Sequence, residues 1–232
     1  MIAKEFSRFA SNYDRVNIIQ KQVALELVAK LNKKAYPSIL DLGCGSGEIY
    51  KNLLKNSIAF EHFVGVDIAP NMLDIHPKEA RVELQNIDFN DASLAYNHYD
   101  VVLSSSALQW AKDLDQTLAN VSKLSQQFYF AIFTSNTFKS LHQVAGISSP
   151  IYDQEILQTS IDRYYEATYT TKEYKLYFDS TYEMLRYIKG SGVSGGERKL
   201  SYKQIKELME HYPLKYLEFE VLFVEAKSEN SN

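Results

Sequence analysis

The stretch "ILDLGCGSGE", residues 39–48, decides how the chain is read. It starts as an apolar strand, sets Asp41 close to the strand's end, and then places glycine at 43, 45 and 47. Glycine takes a left-handed backbone without steric cost. Three glycines in five positions therefore let the chain turn tightly from strand into helix with its N–H groups facing outward. Such a turn accepts a ligand pressed against the main chain.

Around this turn the hydrophobic periods alternate between strand and helix. "PSILDL" (37–42) is a strand behind a proline, and "GEIYKNLLKN" (47–56) is the helix after it, with the basic last turn a helix dipole favours. Before it, "VNIIQKQVALELVAKLNKK" (16–34) puts Ile19, Val23, Leu27 and Leu31 on one helical stripe. After it come strands at "HFVGVDI" (62–68), "RVELQNID" (81–88), "YDVVLSSS" (99–106) and "QFYFAIFT" (127–134). Helices are expected at "PNMLDI" (70–75), with proline in the first turn, and at "LDQTLANVSKLS" (114–125). Strands that read as continuous apolar runs between helices indicate a parallel sheet covered on both faces. From residue 135 the pattern becomes mixed. Helices are expected at "DQEILQTSI", "TYEMLRYIKG" and "SYKQIKELMEHY", the last N-capped by Ser201, and strands at 173–178 and 215–226.

Composition narrows the class. A chain of 232 residues suits one domain with a sizeable insertion. The formal net charge of −4 argues against nucleic acid as the main partner. A single cysteine, Cys44, allows neither an internal disulfide nor a Cys/His zinc cluster. No apolar run reaches the ~18 residues that span a bilayer, and the first residues lack a signal peptide's apolar core. A cytoplasmic protein with no metal and no membrane partner is expected. The tyrosines crowded between Tyr152 and Tyr216 are read as half-buried residues of helices and strands.

In open parallel sheets the ligand sits beyond the carboxyl ends of the strands. Asp41, Asp67, Asp88 and Ser104 lie there. A dinucleotide fingerprint would need a third glycine at position 48, which is Glu48, and a carboxylate at a helix start repels a pyrophosphate. A P-loop fails because no Lys-Ser/Thr follows the glycines. The ligand left is phosphate-free and cationic, and S-adenosylmethionine fits. Asp41 would face its positive groups, Asp67 would accept both ribose hydroxyls, and Asp88 with Phe89 would meet the adenine. Each residue taken singly has a bland alternative: a strand-end acid is often a turn residue, and Met72 serves equally well as helix core.

"ILDLGCGSG" and "VGVDIAPNML" together resemble the first two motifs of the class I S-adenosylmethionine-dependent methyltransferases, over residues 37–134. The resemblance implies a doubly wound, seven-stranded, mostly parallel α/β sheet, Rossmann-like, in a single domain over 1–232. Its parts would be an N-terminal helical lid at 1–34, a cofactor core at 35–135, a substrate-binding insertion with one strand at 136–212, and a final strand at 213–227. It also implies a cofactor site of Tyr13, Gln20, Asp41, Gly43, Cys44, Gly45, Gly47, Asp67, Ile68, Met72, Asp88, Phe89 and Ser104.

"FSRFASNYDRVNIIQ" (6–20), "SSSALQWAKDL" (104–114), "LRYIKGSGVSGG" (185–196) and "YPLKYLEFEVLF" (212–223) are similar to pieces of one subfamily, the malonyl-acyl-carrier-protein O-methyltransferases of biotin synthesis. One departure stands out: "KLSQQFYF" lacks the Arg-Pro-x-Gly turn usual before the fifth strand. The subfamily implies methylation of the free carboxylate of a malonyl thioester, with an acyl-carrier protein as partner. Gln109, Trp110, Arg186 and Lys189 are then the substrate candidates. Tyr13, at spacing seven from Phe6 and Gln20, is expected to close the site. Arg198, Lys199, Lys203 and Lys206 form a basic docking face for the acidic carrier. Trp110 has the alternative of a core plug, Tyr13 of a helix staple, and the basic residues of a solvated surface. Other small acids remain possible acceptors, and a non-catalytic binding module is the alternative of a different class.

Overall fold

A computed structural model describes residues 17–91, 98–191 and 200–228. The strands are β1 (Ser38–Leu42), β2 (His62–Val66), β3 (Val82–Gln85), β4 (Val101–Ser105), β5 (Gln127–Phe133), β6 (Glu166–Tyr177) and β7 (Tyr216–Lys227). They form one sheet in the order β3-β2-β1-β4-β5-β7-β6. The first five are parallel, β7 runs antiparallel beside β5, and β6 runs antiparallel beside β7. The chain winds outward from β1 to β3 and then crosses to β4 on the other side of β1. The carboxyl ends of β1 and β4 are therefore the switch point at which open α/β sheets bind ligands.

The helices are α1 (Ile18–Ala29), α2 (Glu48–Lys55), α3 (Pro70–Ile75), α4 (Leu114–Val121), α5 (Lys139–Ala145), α6 (Gln154–Ile161), α7 (Thr181–Ser191) and α8 (Tyr202–His211). Alternation along the strands sends neighbours to opposite faces. Ile39, Phe63, Leu103, Phe133, Phe219 and Phe223 pack with α1, α2, α5, α7 and α8. Leu40, Val64, Val102, Phe128, Leu222 and Val224 pack with α4 and α6. Each fully buried large side chain contributes about 1.5–3 kcal/mol. These two layers hold the sheet rigid beneath the switch point.

Three local readings change. The first helix begins at Ile18, with Asn17 as its N-cap, and its expected stripe is buried at Ile19, Val23 and Leu27. α1 is thus a fixed part of one helical layer, and the lid expectation falls back on residues 1–16, which lie outside the described residues together with Tyr13. β3 stops at Gln85, so Asp88 belongs to the following turn. β6 starts seven residues before the expected 173 because pairing with the long β7 extends it. As an edge strand it carries lysines and threonines on exposed positions, which protect an edge but hide its strand period. Ser201 does cap α8, in a capping box with Gln204.

Candidate active site

The turn after β1 is left-handed at Gly43 (φ 72°) and Gly45 (φ 52°), for different reasons. A Cβ on Gly43 would stand 2.4 Å from the Cβ of Ala107, so this glycine lets the β1 and β4 ends close together. A Cβ on Gly45 would meet only the Met72 methyl, at 3.4 Å. Gly45 is bare toward open space. Gly47 N-caps α2.

That space is an open cleft. Asn17, Gln20 and Ala24 of α1 form one wall, residues 43–46 the floor, and Ser105 and Ser106 the far side; Asp41 and Glu48 also line it. Asp41 is 1% exposed and neither of its carboxylate oxygens has a partner among the described residues. Burial, and then the charge of Asp67, pushes its pKa well above the ordinary carboxylate range. Glu48 pairs with Lys51 at 2.9 Å. Asp67 Oδ2 accepts from Gly45 N–H at 2.9 Å, and Oδ1 from Ala69 N–H at 2.8 Å. Burial raises the Asp67 pKa, against the opposing effect of those two donors. Each oxygen has a further lone pair. Asp67 therefore shapes the glycine turn.

Several of the unpartnered buried polar atoms line this cleft, while others, such as those of His76, Gln127, His142 and Tyr174, lie elsewhere in the fold. Those at the cleft include both amide atoms of Asn17, Oε1 of Gln20, and the hydroxyls of Ser46, Ser105 and Ser106. Such atoms cost about 1–3 kcal/mol each when left unsatisfied. Several of them around one cleft make its lining polar.

The other candidates scatter. Cys44 lines the floor at 6% exposure, its thiol pKa pushed up by burial and by Asp41 and Asp67. Met72 is buried under Gly45, and Ile68 is exposed beside Asp67. Ser104 must be corrected: it is fully buried and donates to the Leu42 carbonyl at 2.8 Å, tying β4 to β1, while Ser105 and Ser106 face the cleft. Asp88 Oδ2 accepts from Lys112 at 2.8 Å, and Oδ1 accepts from the backbone and side chain of Asn90. Burial works to raise the Asp88 pKa, but Lys112 and Asn90 outweigh it and hold the group low. Phe89 is half-buried near Gly43.

Gln109 and Trp110 sit on a 3-10 turn outside the cleft lining. Gln109 donates to the Ser106 carbonyl at 2.7 Å, steadying a serine held at φ 58°. Arg186 is exposed, its guanidinium over Tyr182, and does not line the cleft. The Lys189 side chain, Arg198 and Lys199 lie outside the described residues. Lys203 and Lys206 are exposed on α8, and Lys206 approaches Glu210 at 3.7 Å. Asn17, Ser46, Ser105 and Ser106 were missed. The serine run was the available signal, misplaced by one residue.

Residues 40–127 match a family described as "Methyltransferase domain". The fold is that of a methyltransferase domain. The YcgJ protein of Bacillus subtilis superposes with a TM-score of 0.65 at 14% identity, over 89% of this chain and 99% of that one. The malonyl-[acyl-carrier protein] O-methyltransferase of Anoxybacillus flavithermus is 32% identical over 150 residues, 61% of this chain and 56% of that protein. The enzyme of the same name from Bacteroides thetaiotaomicron is 26% identical over 210 residues, covering 84% and 78%. The matched stretch thus spans little more than half of the first relative. No group of His, Cys, Asp or Glu among the described residues could hold a metal, and none of their helices is long and apolar enough to cross a membrane.

Proposed function

We propose that the chain transfers a methyl group from S-adenosylmethionine to the free carboxylate of a malonyl thioester on an acyl-carrier protein, a step of biotin synthesis in the cytoplasm. The observation that carries the cofactor is Asp41: a buried carboxylate with no partner among the described residues, with the acid of Asp67 nearby and the cleft's other acid, Glu48, paired with Lys51. Such a site favours a cation and opposes phosphates. The relatives' shared name supports the acceptor.

When bound, S-adenosylmethionine supplies a sulfonium methyl as electrophile. Asp41 faces its positive groups, the free lone pairs of Asp67 accept the sugar hydroxyls, and Ile68 and Phe89 offer apolar surface to the base. Gly45 keeps the floor clear. Asp88 reaches the base only by sharing or releasing Lys112. The acceptor carboxylate is already ionised at neutral pH, so no general base is required. The chain's task is to align the two reactants and exclude water, an effect worth about 7–11 kcal/mol. Gln109, Trp110, Arg186 and Lys189 are the substrate candidates, with Tyr13 closing the site. Lys203 and Lys206, with Arg198 and Lys199, form the docking face.

Parallel assays with malonyl-carrier, malonyl-CoA and free dicarboxylic acids test the reading. Turnover of malonyl-carrier, weakening steeply as salt rises, is expected. Turnover of a free acid with neither thioester accepted would overturn the substrate and leave the cofactor standing.

A further inference from the structure

Three apolar side chains of one helix stand in water. Tyr202, Ile205 and Met209 of α8 are 84%, 41% and 46% exposed, and no element among the described residues covers them. Their spacings of three and four put them on one stripe. The inner side of the helix is held separately: Leu208 is fully buried in the core, and Gln204 donates to the Ala145 carbonyl of α5 at 3.1 Å. The stripe is therefore an outer face of its own. Apolar side chains grouped in this way mark a contact surface more often than single ones do.

Charges run along one edge of the stripe, at Lys203, Lys206 and Glu210. Lys203 is exposed and has no ion pair among the described residues. Lys206 lies 3.7 Å from Glu210, which also approaches His211 at 3.9 Å. Glu207 approaches His211 at 3.8 Å. The first half of the edge is thus basic, and the acids of the second half are partly answered within the helix. The position is equally telling. Tyr212, just past α8, donates to the Tyr216 carbonyl at 2.9 Å, where β7 begins beyond the carboxyl end of β5. α8 therefore stands at the end of the sheet where the cleft opens.

We infer that the outer face of α8 anchors the acyl-carrier protein, with Tyr202, Ile205 and Met209 taking apolar side chains of the carrier and Lys203 and Lys206 its acidic ones. The inference rests on the acceptor reading above and adds what charge does not supply. Lysines at a rim steer an acidic partner, and buried apolar contacts hold it. Three side chains of one short helix fall far short of the roughly 1,200–2,000 Å² that stable complexes bury. Such a surface suits a carrier that must leave after each turnover better than a second copy of the chain.

The test is steady-state methylation of malonyl-acyl-carrier protein at low and high salt by wild type, by a double variant (Ile205→Ser with Met209→Ser) and by Glu210→Gln. The double variant is expected to raise the KM for the carrier about tenfold at both salt concentrations, because apolar contact is not screened. Glu210→Gln frees Lys206 and removes a carboxylate that faces the acidic carrier. It is expected to lower that KM about twofold at low salt and not at high salt, a gain that misfolding does not produce. Calorimetric titration with S-adenosylhomocysteine reports that each variant is folded. An unchanged KM in the double variant, or a KM raised by Glu210→Gln, would overturn the anchor alone. So would wild-type dimers in sedimentation that the double variant abolishes, since the stripe would then belong to a second copy. A wild type that binds S-adenosylhomocysteine but turns over no malonyl-carrier would overturn the acceptor reading and the anchor with it.

Discussion

Two acidic regions of the same sheet are treated in opposite ways. At the β5–β7 junction, Glu220 Oε1 accepts from Thr134 Oγ1 at 2.5 Å and from Asn136 Nδ2 at 2.9 Å. Beside it, Glu218 Oε1 accepts from Ser140 N–H at 2.8 Å. At the β1–β4 end, Asp41 is more deeply buried and neither of its oxygens has a partner among the described residues. The first region is answered by the chain's own donors and serves to join strands. The second is left unanswered by the described chain, and its carboxyl holds its proton above the ordinary carboxylate range instead. Local incompleteness of this kind marks a binding site more sharply than burial or charge taken singly.

The largest effect that would sharpen this contrast is at Gly43. Gly43→Ala sets a Cβ onto Ala107 in a left-handed turn, and should cost roughly 3 kcal/mol in urea unfolding. Gly45→Ala has the same backbone penalty but open space above it, so it should cost only about 1–2 kcal/mol of stability. Its methyl should still weaken cofactor binding markedly in calorimetry. Equal stability losses at the two glycines would break the distinction between a closing contact and a ligand floor.

Asp41→Asn separates stability from binding by pH. The Asp41 pKa is raised in the folded protein, so the folded state binds its proton more tightly than the unfolded chain. Its contribution to stability is present below the ordinary carboxylate pKa and is lost as pH rises through the raised value. Unliganded wild type should therefore lose stability from about pH 4 upward, and Asp41→Asn should flatten that slope. The variant should bind the cofactor about tenfold more weakly or worse at pH 8. In the paired region Thr134→Val should do the reverse, costing about 1 kcal/mol of stability with cofactor affinity unchanged. Loss of affinity in Thr134→Val would remove the contrast.

How far the sequence revealed this follows from range. The glycine turn was legible because left-handed positions select glycine wherever they occur. The parallel strands and the two covering layers were legible because buried strands read as apolar runs, whereas the doubly wound order of the sheet was implied only by the family resemblance. Ser104 was misjudged because adjacent strand residues face opposite ways, and a one-residue error in the strand's end exchanges a cleft hydroxyl for a strand tie. Asn17 was overlooked because the helix was started at residue 16, which turned an N-cap into an interior position. The hold of Lys112 on Asp88 joins residues 24 apart and leaves no mark in local spacing. The early half of β6 is polar on its exposed edge and shows no period until its partner β7 is known.

The central claim is that the glycine turn serves a cationic, phosphate-free adenosyl ligand through Asp41. Calorimetric titration with S-adenosylmethionine and with NAD, at pH 6 and pH 8 in buffers of different ionisation enthalpy, tests it most directly. The account predicts binding of S-adenosylmethionine alone, tighter at pH 8, with proton release in the wild type that disappears in Asp41→Asn. Binding of NAD in its place, or S-adenosylmethionine binding indifferent to both pH and Asp41, would contradict it.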